Sequence, residues 1–375
     1  YAFFTNGFRS QPENIAANTA NTGRSGPGHR LCSPLSHATI EKTPFPKRKG
    51  PRTRKEVRRL AINKYMRAAL RALSYAEPDI KRNYRLLRTA ETAAKAPKLR
   101  SLYHTWEHRV LNGDHEVPVR IFLPGQETNR RLPVLLFFHG GGWVTGNIES
   151  YSPVCNALAR AVGCIVASVD YRLAPEHPFP TGLEDCYCVM QELLKNSWLL
   201  RARPEDVTII GDSAGGNLAA ASSLMAYARG GLMPSRQILI YPATADDHSE
   251  SSPFPSIHEN GEGYLLTSKK ICDYMDLYLP DKERRKDPYA APLNAPDLSS
   301  QPRTLVITAE FDPLRDEGEA YARRLREDGV SVELYRMPDA LHGFFSLPPR
   351  FSQVQKAHNL IRGFLPSADV RGDAT

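Results

Sequence analysis

A serine lies at the centre of Gly211-Asp212-Ser213-Ala214-Gly215, directly after the apolar run 207–210 and directly before a helix-forming stretch. In that setting G-x-S-x-G fits a nucleophile elbow. The serine is held out on a sharp, strained turn, and flanking glycines avoid the clash any Cβ would make there. A phosphate-cradling turn is the structural rival, but the P-loop lysine is missing and a serine occupies the centre. A second motif, His139-Gly140-Gly141-Gly142, follows the apolar run 134–138. Three consecutive glycines let backbone N–H groups turn toward a ligand oxygen that side chains would obstruct.

A serine nucleophile needs a base and an acid to orient that base, and in this order both belong C-terminal to it, at the carboxyl ends of later strands. Near the C-terminus the histidines are His342 and His358. His358 falls inside a closing helix, where a packed or solvent-facing ring is the ordinary outcome. His342 sits in the loop after the run 332–335, followed by Gly343, and is the preferred base. For the acid, the run 304–308 ends in Ala309-Glu310-Phe311-Asp312-Pro313, so Asp312 can reach the imidazole N–H that faces away from the serine. Asp316 and Glu317 open the next helix and fit a role in stabilising its N-terminus. Asp339 is a loop competitor close to His342.

These residues need a frame that brings strand ends together. Beyond residue 130 the chain alternates apolar strands at 134–138, 164–169, 207–210, 238–241, 304–308 and 332–335 with helical stretches near 153–162, 182–196, 214–229, 316–328 and 352–364. Continuous apolar strands alternating with helices define an α/β fold with a mostly parallel sheet covered on both faces. Ahead of it, strands near 103–110 and 116–123 flank the turn Asn112-Gly113-Asp114. Earlier still, helical spacing at Val57, Ala61, Tyr65, Ala69 and Leu73, and again at Ile80, Tyr84 and Leu87, gives two amphipathic helices within 53–96, broken by Pro78. Residues 243–300 interrupt the alternation with polar loops, prolines and one helix around 268–279, and read as an insertion forming a lid over the site.

The net charge of +8 looks at first like a nucleic-acid or membrane signal. Residues 1–110 carry 23 Lys/Arg against 7 Asp/Glu, or +16, leaving 26 against 34, or −8, for residues 111–375. The basic character therefore belongs to one end. No aromatic residues interleave with the cluster from Lys47 to Arg59 as stacking on bases would require, so nucleic acid is not the expected partner. Residues 1–50, rich in Asn, Thr, Ser, Gly, Pro and Arg, read as a disordered leader, and 367–375 as a tail. No apolar run reaches the ~20 residues of a membrane span. Six cysteines without a C-x-x-C pair read as reduced, mostly buried thiols, and with no Asn-x-Ser/Thr acceptor the expected location is the cytoplasm. His104-Thr105-Trp106-Glu107-His108 matches the zinc-protease pattern H-x-x-E-H, but it leads into a hairpin. A strand puts both histidines on one face and the glutamate on the other, so no metal is expected. Arg371-Gly372-Asp373 is read as a coincidence of the tail.

With these residues assembled, the chain resembles the hormone-sensitive-lipase-like branch of the α/β-hydrolases, which includes bacterial family IV carboxylesterases and arylacetamide deacetylases. The matching segments are HGGGWVTGN at 139–147, DYRLAPEHPFP at 170–180, GDSAGGN at 211–217, AEFDPLRDEG at 309–318 and LHGF at 341–344. The resemblance implies an α/β-hydrolase fold with Ser213, Asp312 and His342 as a catalytic triad and the amides of Gly141, Gly142 and Ala214 as an oxyanion hole. His139, Gly140, Gly211, Asp212 and Gly215 support them. It also implies a helical cap from 51–98 and 243–285 over a core of 99–242 and 286–366, a small-molecule ester as substrate, no cofactor, and homodimers. Asn147 stands where the family often has Asp or Ser, which should affect loop packing and not chemistry. The expected function is a serine carboxylesterase on short- to medium-chain acyl esters. Amide deacylation of the arylacetamide deacetylase kind would use the same residues. A non-catalytic small-molecule receptor on this fold would be expected to have lost the histidine that His342 supplies. Phe254, Tyr264, Leu265 and Leu266 are candidates for the cap's contribution to specificity.

Overall fold

Apolar runs that bury on both sides sit in the middle of a parallel sheet, and the computed structural model, which describes residues 79–95, 103–125 and 131–366, places them there. β1 (Thr105–Asn112) and β2 (His115–Phe122) form an antiparallel hairpin, with Asn112 opposite His115. β2 then pairs antiparallel with β4 (Ile165–Val169). From β4 the sheet continues in parallel through β3 (Val134–Phe138), β5 (Val207–Asp212), β6 (Arg236–Ile240), β7 (Arg303–Phe311) and β8 (Val332–Leu341). The order is β1-β2-β4-β3-β5-β6-β7-β8. Successive residues of β3 face opposite ways. Val134, Leu136 and Phe138 join one apolar layer, and Leu135 and Phe137 the other.

The covering helices are α2 (Ile148–Val162), α3 (Thr181–Lys195), α4 (Ala214–Ala228), α7 (Arg315–Glu327) and α8 (Ser352–Phe364). Small residues in α4 let it approach the sheet closely: from Ala214 to Ala226 every residue is buried. Asn147 caps α2, its side chain accepting from Ser150 N at 2.8 Å while Ser150 Oγ accepts from Asn147 N at 3.1 Å. Its Nδ2 also donates to Thr92 Oγ1 at 2.9 Å. This residue thus packs a loop and joins two helices.

Strand and helix centres lie where the sequence puts them, while several ends run further. β7 extends to Phe311 through a register shift between Ala309 and Phe311, and β8 extends to Leu341, so His342 follows a strand end directly. Of the two N-terminal helices, α1 (Ile80–Lys95) is present, and the stretch 57–73 lies outside the described residues, as do the leader, the Lys47–Arg59 cluster and the tail. Between β6 and β7 the insertion carries the expected helix, α6 (Ser268–Tyr278), and a short one that periodicity did not reveal, α5 (Pro255–Asn260). Arg88 of α1 donates to Val144 O at 2.5 Å and Ala174 O at 2.6 Å and pairs with Glu176. At the other end of α1, Lys81 pairs with Asp273 and Asp276 of α6. Cys155, Cys164 and Cys186 are buried, Cys188 and Cys272 half-buried, and all five are free thiols; Cys32 lies outside the described residues. Among the described residues no helix is long and apolar enough to cross a membrane.

Candidate active site

The turn from β5 into α4 puts Ser213 in a conformation that L-residues avoid, φ 55° and ψ −120°. Such strain costs on the order of 1–3 kcal/mol and persists only where the surroundings enforce it. Here Ser213 N donates to Ile240 O at 2.9 Å, and its carbonyl accepts from Asn217 N at 3.1 Å. Asn217 Nδ2 in turn ties down Ala243 O and Ala290 O. The flanking glycines are a matter of space: a Cβ on Gly215 would lie 2.0 Å from Phe138 O, and one on Gly211 2.1 Å from Gly215 O.

His342 follows β8 and bridges the two other groups. Its Nε2 lies 2.9 Å from Ser213 Oγ and its Nδ1 2.8 Å from Asp312 Oδ2. Asp312 follows β7 and is fully buried, and its Oδ1 accepts from Leu314 N at 2.9 Å. An imidazole donating from Nδ1 to the carboxylate presents the Nε2 lone pair to the serine hydroxyl, the arrangement general-base activation needs. The Tyr241 ring lies 4.7 Å from the His342 ring.

On the opposite side, the loop after β3 presents Gly141 and Gly142 at φ 119° and 61°. Among the described residues no protein acceptor takes the N–H of Gly141, Gly142 or Ala214, whereas Gly141 O accepts from Val144 N and Thr145 N. His139 is a buried wedge beneath this loop. Its Nδ1 lies 2.9 Å from Gly140 O, its ring stacks on Tyr171 at 4.3 Å, and Tyr171 OH donates to His139 O. Burial pushes its imidazole down, which keeps it neutral.

Asp212 connects the two halves of the site. Its Oδ1 accepts from Gly140 N at 2.9 Å, and its Oδ2 accepts from Tyr151 OH at 3.1 Å and Tyr241 OH at 3.3 Å. Burial pushes its carboxyl up to about 6, against the lowering effect of the Tyr151 hydroxyl and the Gly140 amide. A carboxyl whose folded value exceeds its unfolded one holds its proton more tightly when folded. Stability from this group is therefore lost as pH rises from about 4 to about 6 and is level above that. Asp212→Asn should remove that slope, so that the parent loses on the order of 2–3 kcal/mol relative to the variant between pH 4 and pH 7. Urea midpoints of both proteins at the two pH values measure it, and parallel curves would contradict it.

The remaining candidates are placed elsewhere. His358 is buried in α8 against the edge of Phe345, and burial pushes its imidazole down to about 4. Among the described residues Asp339 forms no hydrogen bond with His342, whose partners are Ser213 and Asp312; its N–H donates to Glu310 Oε2. Asp316 accepts from Ser256 N and pairs with Arg315. Glu317 departs from the helix-terminus role expected of it. It is fully buried, its Oε1 accepts from Thr244 N and Ala245 N, and its Oε2 lies 2.9 Å from His248 Nε2. Burial alone would lower the His248 imidazole, but the Glu317 carboxylate outweighs it and the net shift is upward. The reason is tertiary: α7 begins beneath the start of the insertion, whose backbone amides need an acceptor. Glu107 and His108 lie along β1, His104 directly precedes it, Glu107 is paired to Arg120, and among the described residues no cluster of three His, Cys, Asp or Glu is set to hold a metal.

Of the cap candidates, Tyr264 stacks on Phe311 at 5.7 Å, Leu265 is half exposed, and Phe254 and Leu266 pack against the core. Two residues of α6 that sequence reading passed over lie closer to the chemistry. A Cβ on Gly142 would fall 2.4 Å from the Tyr274 ring, and Tyr278 stacks on Trp143. Clefts of about 610 Å³ near Tyr187 and about 320 Å³ near Trp106 include neither Ser213 nor His342.

A parallel sheet whose strand ends carry a strained serine, a bridging histidine and a buried aspartate has the architecture of an α/β hydrolase. Comparison with known proteins agrees. The profile described as alpha/beta hydrolase fold matches residues 135–346. An arylesterase of Saccharolobus solfataricus is 37% identical over 265 residues, covering 70% of this chain and 84% of that protein. Carboxylesterase NlhH of Mycobacterium tuberculosis is 39% identical over 237 residues, covering 62% and 72%. The structure of a hyperthermophilic esterase from the archaeon Pyrobaculum calidifontis superposes with a TM-score of 0.72 at 33% identity, covering 80% of this chain and 97% of that one. The chain belongs to the α/β-hydrolase fold family.

Proposed function

We propose that this carboxylic ester hydrolase is a serine esterase of short- to medium-chain acyl esters, working through an acyl-enzyme on Ser213. The observation that carries the reading is the His342 bridge, 2.9 Å to Ser213 Oγ and 2.8 Å to the buried Asp312. Ser213 Oγ attacks the ester carbonyl as His342 Nε2 takes its proton, and Asp312 holds the imidazolium that forms. The carbonyl oxygen, now an oxyanion, accepts from the amides of Gly141, Gly142 and Ala214, each donor contributing roughly 10²–10³ in rate. His342 returns the proton to the departing alkoxide as the C–O bond breaks, and the alcohol leaves. Water then attacks the acyl-enzyme with His342 again as base, releasing the acid and Ser213. In this reading α1 and residues 243–285 form the cap, and Tyr274 against Gly142 bounds the cleft at the oxyanion loop.

The test uses the full chain with 4-nitrophenyl butyrate, its matched 4-nitroanilide and a 4-nitrophenyl phosphonate ester. The ester should turn over at least about tenfold faster than the anilide, because an anilide leaves less readily. The phosphonate should add one phosphonyl group to the peptide containing Ser213, with release of one nitrophenol per chain. Labelling elsewhere, or none, would overturn the assignment of the nucleophile; anilide turnover that equals or exceeds ester turnover would favour an amide deacylase.

A further inference from the structure

Tyr274 and Tyr278 are four residues apart in α6 and so share one face of that helix. That face meets two consecutive residues of the loop after β3. The Tyr274 ring lies against Gly142, so closely that a Cβ there would fall 2.4 Å from it. The Tyr278 ring lies parallel to the Trp143 indole, with 4.5 Å between centroids and 3° between planes. Both members of that stack are buried, and Trp143 is itself held at φ 60°. Among the described residues neither the Tyr278 hydroxyl nor Trp143 Nε1 has a hydrogen-bond partner, so the contact is one of ring on ring. The backbone that carries the indole is held as well, its carbonyl accepting from Ala174 N at 3.0 Å.

The helix that supplies these rings is fixed from other directions. Tyr278 O accepts from Phe179 N at 2.8 Å, the Phe179 ring meets the Tyr278 ring edge-on, and Asp276 pairs with Arg285 and Lys81. A glycine loop with φ values of 119° and 61° at Gly141 and Gly142 has wide conformational freedom of its own. Amides that stabilise an oxyanion must nevertheless be aimed before the charge develops. We propose that the ring pair of α6 supplies that aim: Tyr278 through Trp143, and Tyr274 through Gly142, are positioning residues that hold the oxyanion amides in their catalytic direction. The insertion then takes part in the chemical step as well as in choosing substrate. This rests on the esterase reading above.

The experiment compares Tyr278→Phe and Tyr278→Leu with the parent full-length chain. Each is measured for kcat and KM on 4-nitrophenyl butyrate and for inhibition by an alkyl trifluoromethyl ketone and its methyl ketone counterpart. The trifluoromethyl ketone accepts Ser213 Oγ and forms an oxyanion, whereas the methyl ketone reports ground-state binding. Tyr278→Phe keeps the ring and loses only an unpartnered hydroxyl, so all four values should stay within about twofold of the parent. Tyr278→Leu fills much of the volume without the stack. It should lower kcat roughly 10- to 100-fold with KM within about threefold, and weaken the trifluoromethyl ketone by a similar factor while sparing the methyl ketone. Parental kcat in Tyr278→Leu, or equal losses for both ketones, would overturn the inference while leaving the esterase reading intact. A parent chain inert toward the ester and unlabelled by the phosphonate would overturn both.

Discussion

Ser213→Ala is expected to lower kcat on 4-nitrophenyl butyrate by about 10⁴-fold or more, with KM changed little and the melting temperature held or raised. Among the described residues the hydroxyl that meets His342 Nε2 is Ser213 Oγ, at 2.9 Å. Removing the hydroxyl leaves the amides proposed for the oxyanion, those of Gly141, Gly142 and Ala214, in place. The residual rate should therefore exceed that of free ester in water while falling far below the parent. The effect on folding has the opposite sign because the Ser213 hydroxyl is held in a partly buried polar cluster with His342 and Asp312, whereas the strained backbone at 213 is enforced from both sides whatever the side chain. Alanine meets the same backbone strain but no longer holds a hydroxyl in a charged, half-buried cluster. Steady-state kinetics and a thermal melt on one preparation decide it: a variant within tenfold of parental kcat would remove Ser213 from the mechanism.

Asp312→Asn should have the second-largest effect, a fall in kcat of roughly 10⁴ with the fold preserved. The carboxylate is fully buried, with Oδ2 facing His342 Nδ1 at 2.8 Å and Oδ1 accepting from Leu314 N. Asparagine can keep the Leu314 contact through its own oxygen, and that leaves its NH₂ group facing the imidazole. An NH₂ group donates, so Nδ1 must become the acceptor and the proton moves to Nε2, where it confronts the serine instead of receiving from it. The loss is thus one of tautomer and of support for the imidazolium, and it should appear in kcat at unchanged KM. A loss below about tenfold, with unfolding curves matching the parent, would show that the acid lies elsewhere.

How much of this could be read from the sequence depended on whether the cause was local. Glycines at 211 and 215 are dictated by backbone atoms 2.0–2.1 Å from where a Cβ would stand, and so announce themselves as a motif. His342 and Asp312 could be located because a parallel sheet collects its strand ends on one side, which left few positions to weigh. Asp339, close to His342 in sequence, meets Glu310 through its backbone N–H, while Asp312 is the carboxylate that faces the ring, a choice that sequence distance does not make. Glu317 had a sufficient local explanation at the start of a helix, and that concealed its burial against His248. Tyr274 and Tyr278 were equally hidden, because helical spacing says which residues share a face but not what that face meets. The short helix α5 has too few residues for any period to show.

The contacts of α1 bear on how this enzyme can be recombined with its relatives. Arg88 grips the backbone at Val144 and Ala174, while Lys81 grips Asp273 and Asp276 of the insertion. One N-terminal helix is thereby answerable to two partners far apart in the chain. A chimaera that imports only the insertion from a homologue would bring a helix face unmatched to Lys81, and one that imports only the N-terminal helix would risk losing the clasp on Val144. Crossover points for domain shuffling should therefore be chosen so that both segments descend from the same parent, with the exchange treated as a single module interrupted by the hydrolase core.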